Sequence, residues 1–204
     1  MGVRYVEVNG RGVDHTPYLR AITLLLCDAA ERDGKSTISF ERYGDAPDRV
    51  GIPMKSFALV GDTWEDLEGD ALLYDPPYAD AAVLIDATSI KGNEPWGFEG
   101  LVLATDPLKE GSTLIVNSPE NPDFFLRYLP KVDFKYKIAT IDAYGIDPLI
   151  PVPLAGAVGK VLPDLVTYQS LEAAVRDRYK VVADREAANL KKATQSVKIS
   201  EVLP

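Results

Sequence analysis

"EVNGRGVDHTPYLRAITLLL", residues 7–26, joins three kinds of local signal: the end of a strand, a Gly-x-Gly turn and the start of a helix. Val3 to Val8 alternate among β-branched and aromatic residues, and Asn9-Gly10 marks a turn, so a first strand is read up to that point. Pro17 suits the first turn of a helix, where its missing N–H costs nothing. Leu19, Ile22, Leu25, Leu26, Ala29 and Ala30 then recur at helical spacing, and Asp33-Gly34 gives a stop. Where a dinucleotide fingerprint has its third glycine, the grid from Gly10 and Gly12 runs through His15 to Tyr18 without one.

Outward from this unit, short apolar runs occur at 38–40, 55–60, 82–85, 113–117 and 136–141, each bounded by Gly, Pro, Asp or Asn. Runs such as "AVLID" and "LIVN" are apolar nearly throughout, as expected for strands buried on both faces of a parallel sheet. "NPDFFLRYLP" and "PLAGAVGKVL" read as short helices between them. After Thr167, a plausible N-cap, residues 169–193 carry Leu171, Ala174, Val175, Tyr179, Val182 and Ala183 on one stripe, which predicts a long amphipathic C-terminal helix. The alternation predicts one domain over 1–204: an α/β fold with an open, mostly parallel sheet and helices on both faces. The tail 194–204 has no partner in this pattern and is read as an extension, either disordered or reaching a neighbouring subunit.

Composition excludes several classes. The chain has 204 residues and a net charge of -9, which disfavours nucleic acid as a partner, because phosphate-backbone binders cluster Lys and Arg. One cysteine, Cys27, cannot form an intrachain disulfide, and a single histidine leaves no cluster to complete a zinc or iron–sulfur site. Cys27 lies within the apolar helix pattern and reads as a buried, inert thiol. No stretch approaches the length of a membrane span or a secretory leader, so a soluble cytoplasmic protein is expected.

Few residues stand out chemically. His15, beside Asp14 and Thr16 at a strand-to-helix turn, is placed to meet a phosphate; equally, Asp14 or Thr16 caps the helix and His15 is a solvated turn residue. In "RVGIPMKSF", Gly51 between Arg49 and Pro53 allows close backbone approach and leaves Arg49 free to meet an anion, or simply opens a strand. Asp45 with Asp48, and Glu65 with Asp66, read as solvated loop charge, and no G-x-S-x-G elbow accompanies the lone His. "YDPPYAD", 74–80, reads as a rigid connection.

The order of these pieces carries a resemblance. "NGRGVDHT", "SFERYGDAPDRVGIPMKSFALVGD", "YDPPYADAAVLID" and "PLAGAVGKVLPDLVTYQSLEAAVRDRY" resemble, in sequence, the motifs of the gamma subunit, or gamma domain, of the pyruvate/2-oxoacid:ferredoxin oxidoreductases. The resemblance implies a Rossmann-like subunit of a complex that oxidatively decarboxylates a 2-oxo acid to an acyl-CoA and passes electrons to ferredoxin or another acceptor. It further implies that thiamine diphosphate and iron–sulfur clusters reside in partner subunits, none being bound by this chain alone. A contact of this chain with coenzyme A is implied through Gly10, Arg11, Gly12, Asp14, His15 and Thr16, with Arg49 and Gly51 alongside. Val13 and His15 stand where the family has small residues or Gly, and Pro151-Val152 where it commonly has Asn-Thr. These departures point to an unusual acid such as an aryl glyoxylate (phenylglyoxylate), or to a purely structural scaffold subunit. A stand-alone dinucleotide-binding oxidoreductase also stays open, with Glu41 as the carboxylate for the ribose hydroxyls.

Overall fold

The computed structural model describes residues 2–43, 50–69, 76–91, 94–95, 101–102 and 104–204. Its elements follow in chain order as β1 (Arg4–Gly12), α1 (Thr16–Arg32), β2 (Ser36–Tyr43), β3 (Ile52–Gly61), α2 (Trp64–Leu67), β4 (Ala79–Leu84), the small pair β5 (Glu94–Pro95) and β6 (Leu101–Val102), and β7 (Leu108–Asn117). After these come β8 (Tyr136–Ile141), α3 (Ala143–Ile146), α4 (Pro151–Val161), α5 (Tyr168–Arg178), α6 (Ala183–Ser196) and β9 (Lys198–Val202).

Seven strands form one mixed sheet in the order β2-β3-β1-β4-β7-β8-β9. Its centre is parallel: β1 with β4 (Val6↔Ala81), β4 with β7 (Leu84↔Val116) and β7 with β8 (Thr113↔Lys137). The flanks are antiparallel, β3 lying against β1 with Arg4↔Val60 through Gly12↔Ile52. β3 joins β1 to β2, and β9 pairs with β8. The expected α/β sheet is therefore present, parallel in its central strands. The tail that had no partner in the sequence pattern finds one inside the chain, as the edge strand β9.

Alternation along β1 decides what each face buries. Val6 and Val8 enter one large core with Ala81, Val83, Ile115, Ala139 and the apolar stripes of α1, α4, α5 and α6. Tyr5 turns to the other face, with Phe57, Leu59 and Leu67 of α2. A second cluster on that face joins Ala82, Leu84, Leu114, Val116 and Ile138 to Ile90 and Phe125, which short 3₁₀ turns at Ala87–Lys91 and Pro122–Phe124 bring over the sheet. The helical cover is thus uneven, with α1, α4, α5 and α6 together in one layer. Gly156 lets two of them approach, because a Cβ there would lie 2.9 Å from Leu190 Cδ1.

Two expected helices change form. Of 121–130 only Pro122–Phe124 is helical, as a 3₁₀ turn. The long C-terminal helix is broken at Tyr179 into α5 and α6, joined by a 3₁₀ turn at Lys180–Val182. An unbroken helix over 169–193 would run to about 38 Å, longer than the strands it covers. The break lets α5 pack on α1 while α6 packs on α4. Asp33, just past α1, ties the layer together by accepting hydrogen bonds from Thr167 N–H (2.6 Å), Thr167 Oγ1 (2.8 Å) and Ser170 Oγ (2.5 Å). At the amino end of β1, Arg4 meets both Asp80 and Asp164.

Candidate functional site

β1 does not stop at Asn9-Gly10. It continues through Arg11 to Gly12, because β3 lies in register beside each of these residues. The glycines therefore lie in the strand, and their roles separate. A Cβ on Gly10 would sit 2.7 Å from Leu19 Cδ1 and 2.9 Å from His15 Cβ, so Gly10 is the space into which the first turn of α1 packs. Gly51 has φ +80°, a conformation that favours glycine, and its N–H donates to Gly12 O at 2.6 Å.

His15 is the N-cap of α1, and its side chain makes no capping bond. Instead it closes a loop on Arg11: His15 N–H donates to Arg11 O (2.9 Å) and Arg11 N–H donates to His15 Nδ1 (3.0 Å). Nδ1 is thereby an acceptor, and the neutral ring carries its proton on Nε2. Burial, helped by Arg11, holds the His15 pKa below its ordinary value against the pull of Asp86 and Asp14. Neither Asp14 nor Thr16 is the cap; Asp14 is exposed, and Thr16 Oγ1 donates to Met54 Sδ at 3.1 Å.

The Arg11 side chain leaves the strand toward the carboxyl end of β4, where its Nε meets Asp86 Oδ2 at 3.1 Å, and its Nη1 reaches Gly51 O at 3.5 Å. Asp86 also accepts from Thr88 N–H (2.9 Å) and Thr88 Oγ1 (2.7 Å). Burial works to raise the Asp86 pKa; the bonds from Thr88 and Arg11 together outweigh it and hold the carboxylate ionised below its usual range. Tyr144 of α3 stands nearby, its phenol pushed up by burial and then by Tyr18 and Asp86. One strand further, Asn117 bridges β4 and α3, donating to Ile85 O (3.1 Å) and accepting from Ala143 N–H (3.0 Å).

The structure thus gathers Gly10, Arg11, Gly12, Asp14, His15, Thr16 and Gly51 around one turn; Arg49 lies outside the described residues, as do Asp45 and Asp48. Asp86, Thr88, Asn117 and Tyr144 were not singled out from sequence. The signal available for the first was an Asp closing the buried run "AVLID", at the carboxyl end of a strand. Other candidates resolve into structure. Asp66 makes a capping box with Thr63 on α2. Tyr78 of the Pro-rich connection packs edge-on to Tyr5 under Lys109. Cys27 is buried, with its thiol pushed up to about 12 by that burial. Among the described residues no group of three or more His, Cys, Asp and Glu side chains converges as a metal site, and no helix is long and apolar enough to cross a membrane.

The class these features define is an open α/β fold with a polar edge at the carboxyl ends of β1 and β4. There the chain leaves β1 for strands on one side and returns as β4 on the other, which is the switch point at which such sheets hold ligands. No family profile matches the chain. Solved structures do: pyruvate oxidoreductase subunit PORC from Thermotoga maritima superposes with a TM-score of 0.73 at 24% identity, over 98% of this chain and 99% of that one. The gamma subunit of a keto/oxoacid ferredoxin oxidoreductase from Geobacter sulfurreducens gives 0.61 at 17%, over 95% and 97%. A 2-oxoglutarate:ferredoxin oxidoreductase from Magnetococcus marinus, in a structure with 2-oxoglutarate, coenzyme A and succinyl-CoA bound, gives 0.60 at 13%, with this chain matching 31% of that longer one. At these identities the likeness establishes a shared fold, and it falls on the group of proteins that the motifs resemble.

Proposed function

We propose that this chain is the gamma-type subunit of a 2-oxoacid:acceptor oxidoreductase that converts a 2-oxo acid to an acyl-CoA. Thiamine diphosphate and iron–sulfur clusters sit in partner subunits, and electrons leave to ferredoxin or a similar acceptor. The observation that carries this reading is agreement of fold over nearly the full length of both this chain and the Thermotoga subunit, together with four motifs in the same order. The chemistry of oxidation belongs to the absent cofactors. The part of this chain is to bind and orient an acyl carrier at the edge formed by Arg11, Gly12, Asp14, Thr16 and Gly51, with Arg49 in the same segment.

Coenzyme A suits this edge by its charge. The start of α1 presents the positive end of a 17-residue helix, and Arg11 adds a cation. Each charge-assisted bond to a phosphate is worth roughly 1.5–3 kcal/mol, which positions a carrier without breaking bonds. An aryl glyoxylate as the acid follows from Val13 and His15 standing where the family has smaller residues. A dinucleotide fits less well: Glu41 lies on β2, separated from β1 by β3, and it accepts from Arg20 Nε at 2.6 Å.

One arrangement favours the scaffold reading. His15 fills the third-glycine position, and Arg11 is held by both His15 and Asp86, so donors that would face a phosphate are already engaged within the chain. Reconstitution separates the two. The chain alone is expected to show no 2-oxo acid turnover, and activity is expected to appear with thiamine- and cluster-bearing partners copurified on the tagged chain. Turnover by the isolated chain would overturn the proposal, and a coenzyme A requirement insensitive to Arg11→Ala would leave only the scaffold.

A further inference from the structure

Asp86 follows β4 at its carboxyl end, and β4 lies parallel beside β1 up to Asn9↔Leu84. The main chain around it is fixed on both sides. Ile85 N–H donates to Asn9 O at 3.0 Å, Asn117 Nδ2 donates to Ile85 O at 3.1 Å, and Ser89 Oγ donates to Asp86 O at 2.6 Å. The two carboxylate oxygens then have different partners. Oδ1 accepts from both Thr88 N–H and Thr88 Oγ1, and Oδ2 accepts from Arg11 Nε. Arg11 is in turn fixed at its main chain by the reciprocal bonds with His15.

Stability gives this arrangement little reason to exist. The side chains of Arg11 and Asp86 are 32% and 26% exposed, and ion pairs within reach of solvent add little to a fold. What the pair fixes is direction. Nε is one of five donors on a guanidinium, and with it anchored on Asp86, Nη1 lies 3.5 Å from Gly51 O, beside the bond from Gly51 N–H to Gly12 O. An arginine whose rotamer is set before a ligand arrives loses less freedom in binding it. Thr88 does the same for Asp86: its two bonds to Oδ1 keep the carboxylate from turning, hold Oδ2 toward Arg11 and offset part of the charge that would repel an incoming anion.

We propose, resting on the coenzyme A reading of this edge, that Asp86 is a positioning residue for Arg11, and Thr88 for Asp86, in the capture of a phosphate of the acyl carrier. Asp86 itself makes no contact with the carrier; it acts through the guanidinium.

Initial rates of the reconstituted complex, with coenzyme A varied, test this. Asp86→Asn keeps the shape of the side chain and removes its charge. It is expected to raise the KM for coenzyme A by about three- to tenfold with kcat nearly kept, while the urea midpoint of the full chain stays close to that of wild type. Thr88→Val is expected to raise the KM by a smaller factor, and Thr88→Ser, which keeps the hydroxyl, to restore it. The decisive readout is a double-mutant cycle. In the Arg11→Ala background Asp86→Asn is expected to raise the KM no further, whereas a residue that merely supports the turn would add its loss in either background. An unchanged or lower KM in Asp86→Asn while Arg11→Ala raises it, an additive cycle, or a large fall in the urea midpoint of Asp86→Asn overturns the positioning role and leaves the coenzyme A reading standing. A KM insensitive to Arg11→Ala overturns both.

Discussion

Replacing Gly10 with alanine tests whether the first glycine of "NGRG" exists for packing between strand and helix. The added methyl would lie 2.7 Å from Leu19 Cδ1 and 2.9 Å from His15 Cβ. Neither neighbour yields easily: Leu19 is fully buried in the main core, and His15 is held by reciprocal hydrogen bonds with Arg11. Overpacking of this kind costs about 1–3 kcal/mol, while relief of glycine's backbone entropy returns about 0.4–1 kcal/mol. A net loss of about 1–2 kcal/mol follows, or about 2–8 °C in Tm for a chain of this size. Urea unfolding followed by circular dichroism, with no ligand present, measures it. Combining Gly10→Ala with His15→Gly removes one of the two clashes, so the double variant should lose less than the sum of the single losses. Gly10→Ala as stable as wild type, or more stable, refutes the packing account and returns the glycine to a role in ligand approach.

Three further outcomes are expected. His15 is the sole histidine, and its folded pKa is depressed. The folded chain then binds fewer protons than the unfolded one, so the stability due to neutral His15 is full above about pH 6.5 and fades as pH falls below it. The urea midpoint should therefore drop between about pH 7.5 and about pH 5.5, and drop less in His15→Asn. Asp33 also has a depressed pKa, because its bonds from Ser170 and Thr167 together outweigh burial. Its contribution is present above the ordinary aspartate range and lost as pH falls through the folded value, so Asp33→Asn should lower the urea midpoint at neutral pH and converge with wild type in acid. In a reconstituted complex, Arg11→Ala should raise the KM for coenzyme A by about tenfold with kcat nearly kept, read from initial rates.

What could be read from sequence depended on whether the signal was local. β8 matches its apolar run at 136–141, and α1 matches its stripe from Leu19 to Ala30, because burial on one element writes its own period. β1 was read as ending at Asn9-Gly10, since a turn dipeptide outweighs weak strand propensity locally; the pairing of Gly10 with Met54 and Gly12 with Ile52 overrides it from 40 or more residues away. "NPDFFLRYLP" has helical spacing, yet Phe125 is spent on the second core beneath a 3₁₀ turn. The site divides in the same way. Its first turn was legible because one contiguous stretch supplies it. Asp86 was not, because its meaning arises only when β4 takes its place beside β1.

Having α1, α4, α5 and α6 in one layer gives the sheet two sides of unequal tenacity. Amides of α1 and α4 are shut away beneath helix-on-helix contacts and should exchange with solvent only when the whole domain opens. The 3₁₀ turns at Ala87–Lys91 and Pro122–Phe124 lie on the opposite side as single turns without a helix layer over them, and their amides are expected to exchange sooner. Slow deuterium uptake on one side and fast uptake on the other would make this a molecule with a fixed back and a yielding front.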